Sequence, residues 1–393
     1  MRQETREKLK GLMEKAVRDG ELAGGCLLVR QHGKDCCYLE AGMADVEAAK
    51  PIARDQIYRL YSMSKPVTGA AAMKLFEEGC LELGQPVSAY LPSFRNPLVE
   101  QEGRLVCADR EVMVQDLLNM TSGLVYDGEP GLAGRHVDAV LQEHAERLYT
   151  DHPMTTGELA SLLGEGPLVF QPGSSWKYGM SADVLGAVIE AASGMSFGEY
   201  LEKNIFRPLG MADTGFYVPE EKKDRLVTVY QDDGKGGLVP YRENHLGILN
   251  AVDQKPAFES GGAGLVSTID DYARFAQMLL NGGELDGVRV LNPQTVRFMT
   301  SGALNGKQRE AFGRNFPTMP GFDYGNLVRV MKDPGMSCTL NNAGEYGWDG
   351  WLGCYFANDP AADMTVLFMM QKTDSGLTPL ARRLRNVIMG DPE

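Results

Sequence analysis

From Thr5 to Arg18 apolar residues fall at Leu9, Leu12, Met13, Ala16 and Val17, the i, i+3, i+4, i+7, i+8 spacing of a helix that buries one face. Near the other end, Pro379 to Met389 repeats the pattern with Leu380, Leu384, Val387 and Ile388, and Gly390 is its stop. Just inside each terminal helix the period changes to two. Gly25 to Arg30 and Cys36 to Ala41 flank the turn His32-Gly33-Lys34-Asp35, and Gly353 to Asn358 and Thr365 to Gln371 flank a second turn through Asp359-Pro360. Helices and hairpins at both ends predict one antiparallel sheet closed by the two termini. Between Phe76 and Phe258 long loops punctuated by Gly and Pro separate helical stretches, among them Thr156 to Leu163, Ala182 to Ser193 and Gly198 to Ile205. The expected class is α/β: residues 1–75 and 259–393 build the sheet domain, and 76–258 form a mainly helical insertion.

Composition narrows the function. A net charge of −14 spread along the whole chain offers no basic patch for a phosphate backbone, so nucleic acid is not an expected partner. No stretch is apolar enough to span a bilayer, and the charged start Met1-Arg2-Gln3-Glu4 lacks the core of a secretory signal; the expected location is cytoplasmic. The seven cysteines are odd in number, contain no Cys-x-x-Cys and sit largely in apolar runs, which reads as buried free thiols. No cluster has metal-ligand spacing such as His-Glu-x-x-His, and neither metal nor cofactor is expected.

The candidate chemistry starts at Ser62-Met63-Ser64-Lys65, which follows the strand-like Gln56 to Tyr61 and opens a helix running to Glu78, with Gly79 after it. Positions i and i+3 share a helix face, so the Lys65 amine can reach the Ser62 hydroxyl. The helix N-terminus points free N–H groups and a positive dipole end at that place, which favours an oxyanion and a neutral lysine. A free lysine has a pKa of about 10.4, so it works as a base only if desolvation and nearby positive charge lower it. Alone the motif is weak, because roughly one chance Ser-x-x-Lys is expected in a chain of this length. A second copy, Ser174-Ser175-Trp176-Lys177, follows Pro172-Gly173 in a loop and starts no helix at once. A rival serine lies in Gly194-Met195-Ser196-Phe197-Gly198, but that elbow needs a strand before it. Here a helix precedes it, and Ser196 with Glu199 makes a capping box. None of the five histidines has a recognisable catalytic setting.

With its neighbours, Tyr61-Ser62-Met63-Ser64-Lys65-Pro66-Val67-Thr68-Gly69 resembles the nucleophile segment of the serine β-lactamase and penicillin-binding-protein superfamily, especially its class C branch and the family VIII carboxylesterases. Asp116 to Leu124, Pro172 to Gly186 around Tyr178, and Gly261 to Phe275 resemble further family segments in the same order. The resemblance implies a β-lactamase-like fold, with Tyr178 as the partner that passes a proton among Ser62 and Lys65. The family often has Asn two places after this tyrosine, where Met180 stands here. The largest departure is at the third motif. In place of Lys-Thr-Gly the chain has Tyr346-Gly347-Trp348-Asp349-Gly350-Trp351, similar to the esterase versions, while Lys372-Thr373-Asp374 follows the last strand. By resemblance the backbone N–H groups of Ser62 and Trp351 form the oxyanion hole, and Trp348, Asp349 and Gly350 face the substrate. Asp349 has two readings, because neighbours on a strand point to opposite sides. Trp176, Trp348 and Trp351 fall in these motifs and suggest an aromatic acyl pocket, with core packing as the alternative for each.

The expected activity is therefore that of a serine hydrolase forming an acyl-enzyme on small esters, with weak or no action on β-lactams. A D-amino-acid peptidase or amidase and a β-lactamase are the enzymatic alternatives, and a non-catalytic binding or scaffold protein of the same fold is the rival from another class. The expected partner is a small ester or amide.

Overall fold

In the computed structural model, which describes residues 1–391, both ends of the chain meet in one antiparallel sheet of eight strands. In spatial order these are Phe322–Gly325, Val328–Met331, Tyr346–Asp349, Tyr355–Asp359, Met364–Met370, Gly24–Gln31, Lys34–Asp45 and Lys50–Pro51. The ends are joined by the register Gly25↔Met370 to Gln31↔Met364. Alternation along the central strands sends successive side chains to opposite faces. Leu27, Val29, Val366 and Phe368 pack against Leu9, Met13, Leu384 and Ile388 of the terminal helices Gln3–Arg18 and Pro379–Met389. Cys26, Leu28, Leu367 and Met369 face the other way, into the main core with the helices Ser64–Glu77 and Ile269–Leu280.

The stretch between carries the helices Leu132–Arg147, Thr156–Gly164 and Ser181–Ser193, and also two small hairpins, Leu98–Gln101 with Arg104–Cys107 and Tyr230–Asp232 with Leu238–Pro240. Three elements differ from the sequence reading. The helix expected over Gly198 to Ile205 is α-helical only at Phe197–Leu201, then widens to a π turn at Glu202–Phe206 and closes at Arg207–Leu209. Pro208, which lacks an N–H, lies in that last turn and is followed by the left-handed Gly210. The strand expected over Gln56 to Tyr61 narrows to Tyr58–Arg59, paired with Val266–Ser267. The strand expected from Gly353 starts at Tyr355, because Gly353 closes a tight turn onto the Gly350 carbonyl at 2.9 Å. All seven cysteines are free, but Cys80, Cys107 and Cys338 are exposed, so burial holds for only part of the set. Among the described residues no helix is long and apolar enough to cross a membrane.

Candidate active site

The chain reverses sharply before Ser62. Leu60 still donates to the Leu265 carbonyl at 2.9 Å, then Tyr61 takes a φ of 46° and starts a 3-10 turn, Tyr61–Met63, that leads into the helix Ser64–Glu77. A left-handed tyrosine costs about 1–3 kcal/mol and persists only where its surroundings enforce it. Tyr61 is 1% exposed. Gly350 is part of that enforcement: a Cβ there would lie 2.2 Å from the Leu60 carbonyl oxygen. Only a glycine lets the strand end Tyr346–Asp349 and the Trp351 that follows come so close to the turn that carries Ser62.

Ser62 and Lys65 share one helix face as their spacing requires. The Lys65 Nζ lies 3.1 Å from the Ser62 Oγ, 3.0 Å from the Tyr126 Oη and 2.8 Å from the Gly262 carbonyl oxygen. Lys65 is fully buried, and burial pushes its pKa down to about 7. The sequence reading asked for desolvation and a nearby positive charge; the nearby charges are instead the carboxylates of Asp183 and Asp349, which oppose the shift. Desolvation prevails over both. The charged amine donates to all three oxygens, whereas the neutral amine keeps a lone pair able to accept the Ser62 O–H.

The Gly262 carbonyl is held in place by its neighbours. Its N–H donates to the Asp183 carboxylate at 3.0 Å, Ser260 donates to the same oxygen, and the Thr68 hydroxyl donates to the Gly261 carbonyl at 2.6 Å. Asp183 is 3% exposed and sits in the first turn of Ser181–Ser193, where the helix dipole favours a carboxylate. Burial raises its pKa and Lys65 pulls it back.

Tyr178 lies across from Lys65, whose amine is 4.6 Å from the phenol ring centroid. The Trp348 indole N–H donates to the Tyr178 Oη at 2.9 Å. Burial raises the phenol's pKa, and hydrogen bonds from Ser62 and Trp348 lower it only in part. The phenol stays protonated at neutral pH. Trp176 is 1% exposed and stacks on the Tyr178 ring at 6.0 Å, with Phe312 and Tyr324 around it. It therefore backs the tyrosine as part of the core. Trp351 is half-buried, 5.0 Å from the Tyr61 ring and 4.1 Å from His245, and its indole donates to Asp374 at 2.9 Å.

Asp349 acts on this group through its charge, while its side chain turns away to another partner. Its register partner is Tyr355, on the terminal-helix face, and its carboxylate accepts from Arg329 at 3.2 Å, with Arg329 1% exposed. The side chain expected to face substrate is thus an internal ion-pair partner, and Trp348, one residue earlier, faces Tyr178. Removing one member of a buried pair strands the other. Asp349→Ala is expected to lower stability by about 3–5 kcal/mol, read from the urea midpoint, while Asp349→Asn, which can still accept the Arg329 bond, costs less. Equal stability of Asp349→Ala and wild type would show that Arg329 does not depend on this carboxylate.

The other serines are placed by local bonds. Ser196 accepts from the Glu199 N–H at 3.3 Å and Glu199 accepts from the Ser196 N–H at 3.3 Å, a reciprocal cap on Phe197–Leu201. Ser174 is exposed, and Lys177 pairs with Glu129 at 2.8 Å. Lys372 pairs with Asp232 at 2.9 Å. Among the described residues no group of three or more His, Cys, Asp and Glu could hold a metal ion. Sequence reasoning missed Tyr126 and gave no role to Gly262 or Asp183. The last two lie inside quoted family segments, which was the available signal; Tyr126 lies two residues beyond one.

A serine directly after the strained Tyr61, a buried lysine three residues on and a phenol hydrogen-bonded by an indole, beside an antiparallel sheet, define a serine hydrolase of the β-lactamase-like fold. The family model described as Beta-lactamase matches residues 8–388, and the chain belongs to that family. It is 30% identical to Esterase EstB of Burkholderia gladioli, over 97% of this chain and 94% of that one. A putative D-alanyl-D-alanine carboxypeptidase of Escherichia coli (strain K12) is 25% identical, over 81% of this chain and 70% of its own. Among solved structures, EstCE1, described as a hydrolase with promiscuous acyltransferase activity, superposes with a TM-score of 0.85 at 26% identity, covering 99% of each chain.

Proposed function

We propose that the protein hydrolyses small neutral esters through an acyl-enzyme on Ser62. The observation that carries this reading is the dry Lys65 amine, 3.1 Å from the Ser62 Oγ and with a pKa near 7, so that a neutral base is present at physiological pH. In the first half-reaction the Ser62 proton passes to Lys65 as Oγ bonds to the ester carbonyl carbon. The negative oxygen that develops is received by the backbone N–H groups of Ser62 and Trp351. Collapse breaks the bond to the alkoxide, which leaves as the alcohol with a proton supplied from Lys65 through the Tyr178 hydroxyl. Water then attacks the acyl group by the reverse relay and frees the acid. Tyr178 acts here as a protonated relay, because its raised pKa makes it a poor phenolate. The Trp348 N–H orients its oxygen.

The similarity to the esterase EstB supports esters over the alternatives, and so does charge. A β-lactam carries a carboxylate near its reactive carbonyl, while this site presents an indole at Trp348 and has its Asp349 carboxylate turned onto Arg329. No cation stands at that position to receive the anion. The test is kcat/KM for p-nitrophenyl butyrate against nitrocefin: the ester is expected to be favoured by at least about a hundredfold, the loss of one charge-assisted anion contact. Comparable values would overturn the ester reading. Asp349→Asn is expected to leave nitrocefin turnover unimproved.

The pH dependence has a fixed sign. The active form of Lys65 is the neutral amine, and its pKa is lowered to about 7 by burial. Accordingly kcat/KM for a neutral ester is expected to rise with pH through about 7 and level off above it. A profile flat from acid to alkaline pH would remove Lys65 as the base.

A further inference from the structure

A cavity of about 290 Å³ lies between the end of the helix Leu132–Arg147 and residues 247–258, apart from the nucleophile. Met154, Phe216, Leu249 and Phe258, all buried, give it an apolar wall, which faces the polar side chains of Thr150, Gln254 and Lys255. An engineered hydrocarbon cavity of about 150 Å³ holds benzene, so this one has room for a ring with a short chain. His144 also lines it, held neutral by burial. The rim is polar. It carries Tyr149, a large aromatic left 76% exposed, and Lys255. No Asp or Glu lines the cavity, and Lys255 is its one basic side chain besides His144, on an edge it shares with neighbouring clefts lined by Glu199 and Glu259. Glu259 feels the Lys255 charge, but its carboxylate accepts from the Gly198 N–H at 2.6 Å and lies outside this lining.

We infer that this cavity is a second binding site, separate from the Ser62 site, for a small carboxylic acid with an apolar ring-and-chain body and its carboxylate at Lys255. The apolar wall of Met154, Phe216, Leu249 and Phe258 stabilises the body where the two meet, and the polar side leaves the charge partly hydrated beside the ammonium. The site is one layer of chain from the chemistry. Ile248 lines it and also packs in the cluster of Tyr61 and Trp351, and Gly264 lines it two residues after the carbonyl that Lys65 contacts. An occupant is thus placed to act on the backbone that positions both.

Calorimetric titration of the full chain with 4-phenylbutyrate tests the site. The expected result is one site with a Kd below about 1 mM, retained after Ser62 is blocked with a fluorophosphonate. Leu148→Trp, at a half-buried position on the wall, is expected to weaken binding at least about tenfold by filling the space, with unchanged thermal unfolding showing that the variant folds. Lys255→Gln is expected to weaken the acid about threefold, in the range of an exposed ion pair, and to leave 4-phenylbutanol unaffected. No binding up to about 10 mM, binding lost when Ser62 is blocked, or unchanged binding in Leu148→Trp would overturn the site. Equal effects of Lys255→Gln on acid and alcohol would overturn the carboxylate assignment.

Discussion

Replacing Ser62 with alanine is expected to reduce ester hydrolysis by on the order of ten-thousandfold or more and to abolish labelling by a fluorophosphonate, because the hydroxyls on the Lys65 amine are those of Ser62 and Tyr126, and the buried Tyr126 phenol, its pKa pushed up by burial, is a poor nucleophile. The fold should survive. The Ser62 hydroxyl contacts Lys65 and Tyr178, and its loss opens little space at a position already 8% exposed. Ser196→Ala is the matched control. That hydroxyl holds one end of a reciprocal helix cap, so its removal should cost about 1 kcal/mol of stability and leave labelling intact. Mass mapping of the labelled peptide distinguishes the two serines directly. A label that persists in Ser62→Ala and disappears in Ser196→Ala would move the nucleophile to the second site.

Removal of the base should be nearly as severe. Lys65→Met keeps the apolar stem in the core but takes away the proton acceptor, and acylation is expected to slow by about a hundredfold to ten-thousandfold. Tyr178→Phe preserves the ring packing on Trp176 and Phe316 while removing the oxygen to which the Trp348 indole donates. It should slow turnover within the same range, by less than Lys65→Met, because the lysine base remains. The pH dependence separates the two roles. Tyr178→Phe should keep the rising limb near 7 that belongs to Lys65, whereas Lys65→Met should lose it. Near-wild-type turnover in Tyr178→Phe would make Lys65 both base and acid and leave the tyrosine as packing. Burst kinetics with p-nitrophenyl butyrate would show whether acylation or release of the acid is the step affected.

What the sequence by itself determined is what short range governs. The terminal helices follow from apolar spacing within single turns, and Pro379–Met389 ends just before its glycine as read. The Ser62–Lys65 contact follows from the i, i+3 geometry of any helix, and the Ser196 cap from a three-residue reach. Alternation likewise offered, as one of two readings, that Trp348 and Asp349 point to opposite sides.

The tertiary structure decided which of those sides is which. Asp349 faces the terminal helices because Arg329, on the neighbouring strand, pairs with it there, and strand parity carries no information about which face meets which layer. The Lys65 environment is also non-local. Tyr126 is 61 positions away in sequence and Gly262 is 197, so no window of sequence places them on one amine. The lowered pKa of Lys65 comes from desolvation, a sum over everything packed around the group; the sequence reading named desolvation but could not size it, and in place of the nearby positive charge it also named stand two carboxylates. Backbone geometry and side-chain period act over a few residues and can be read from their order. Burial, pairing across strands and the field at a buried amine exist only once distant segments have packed together.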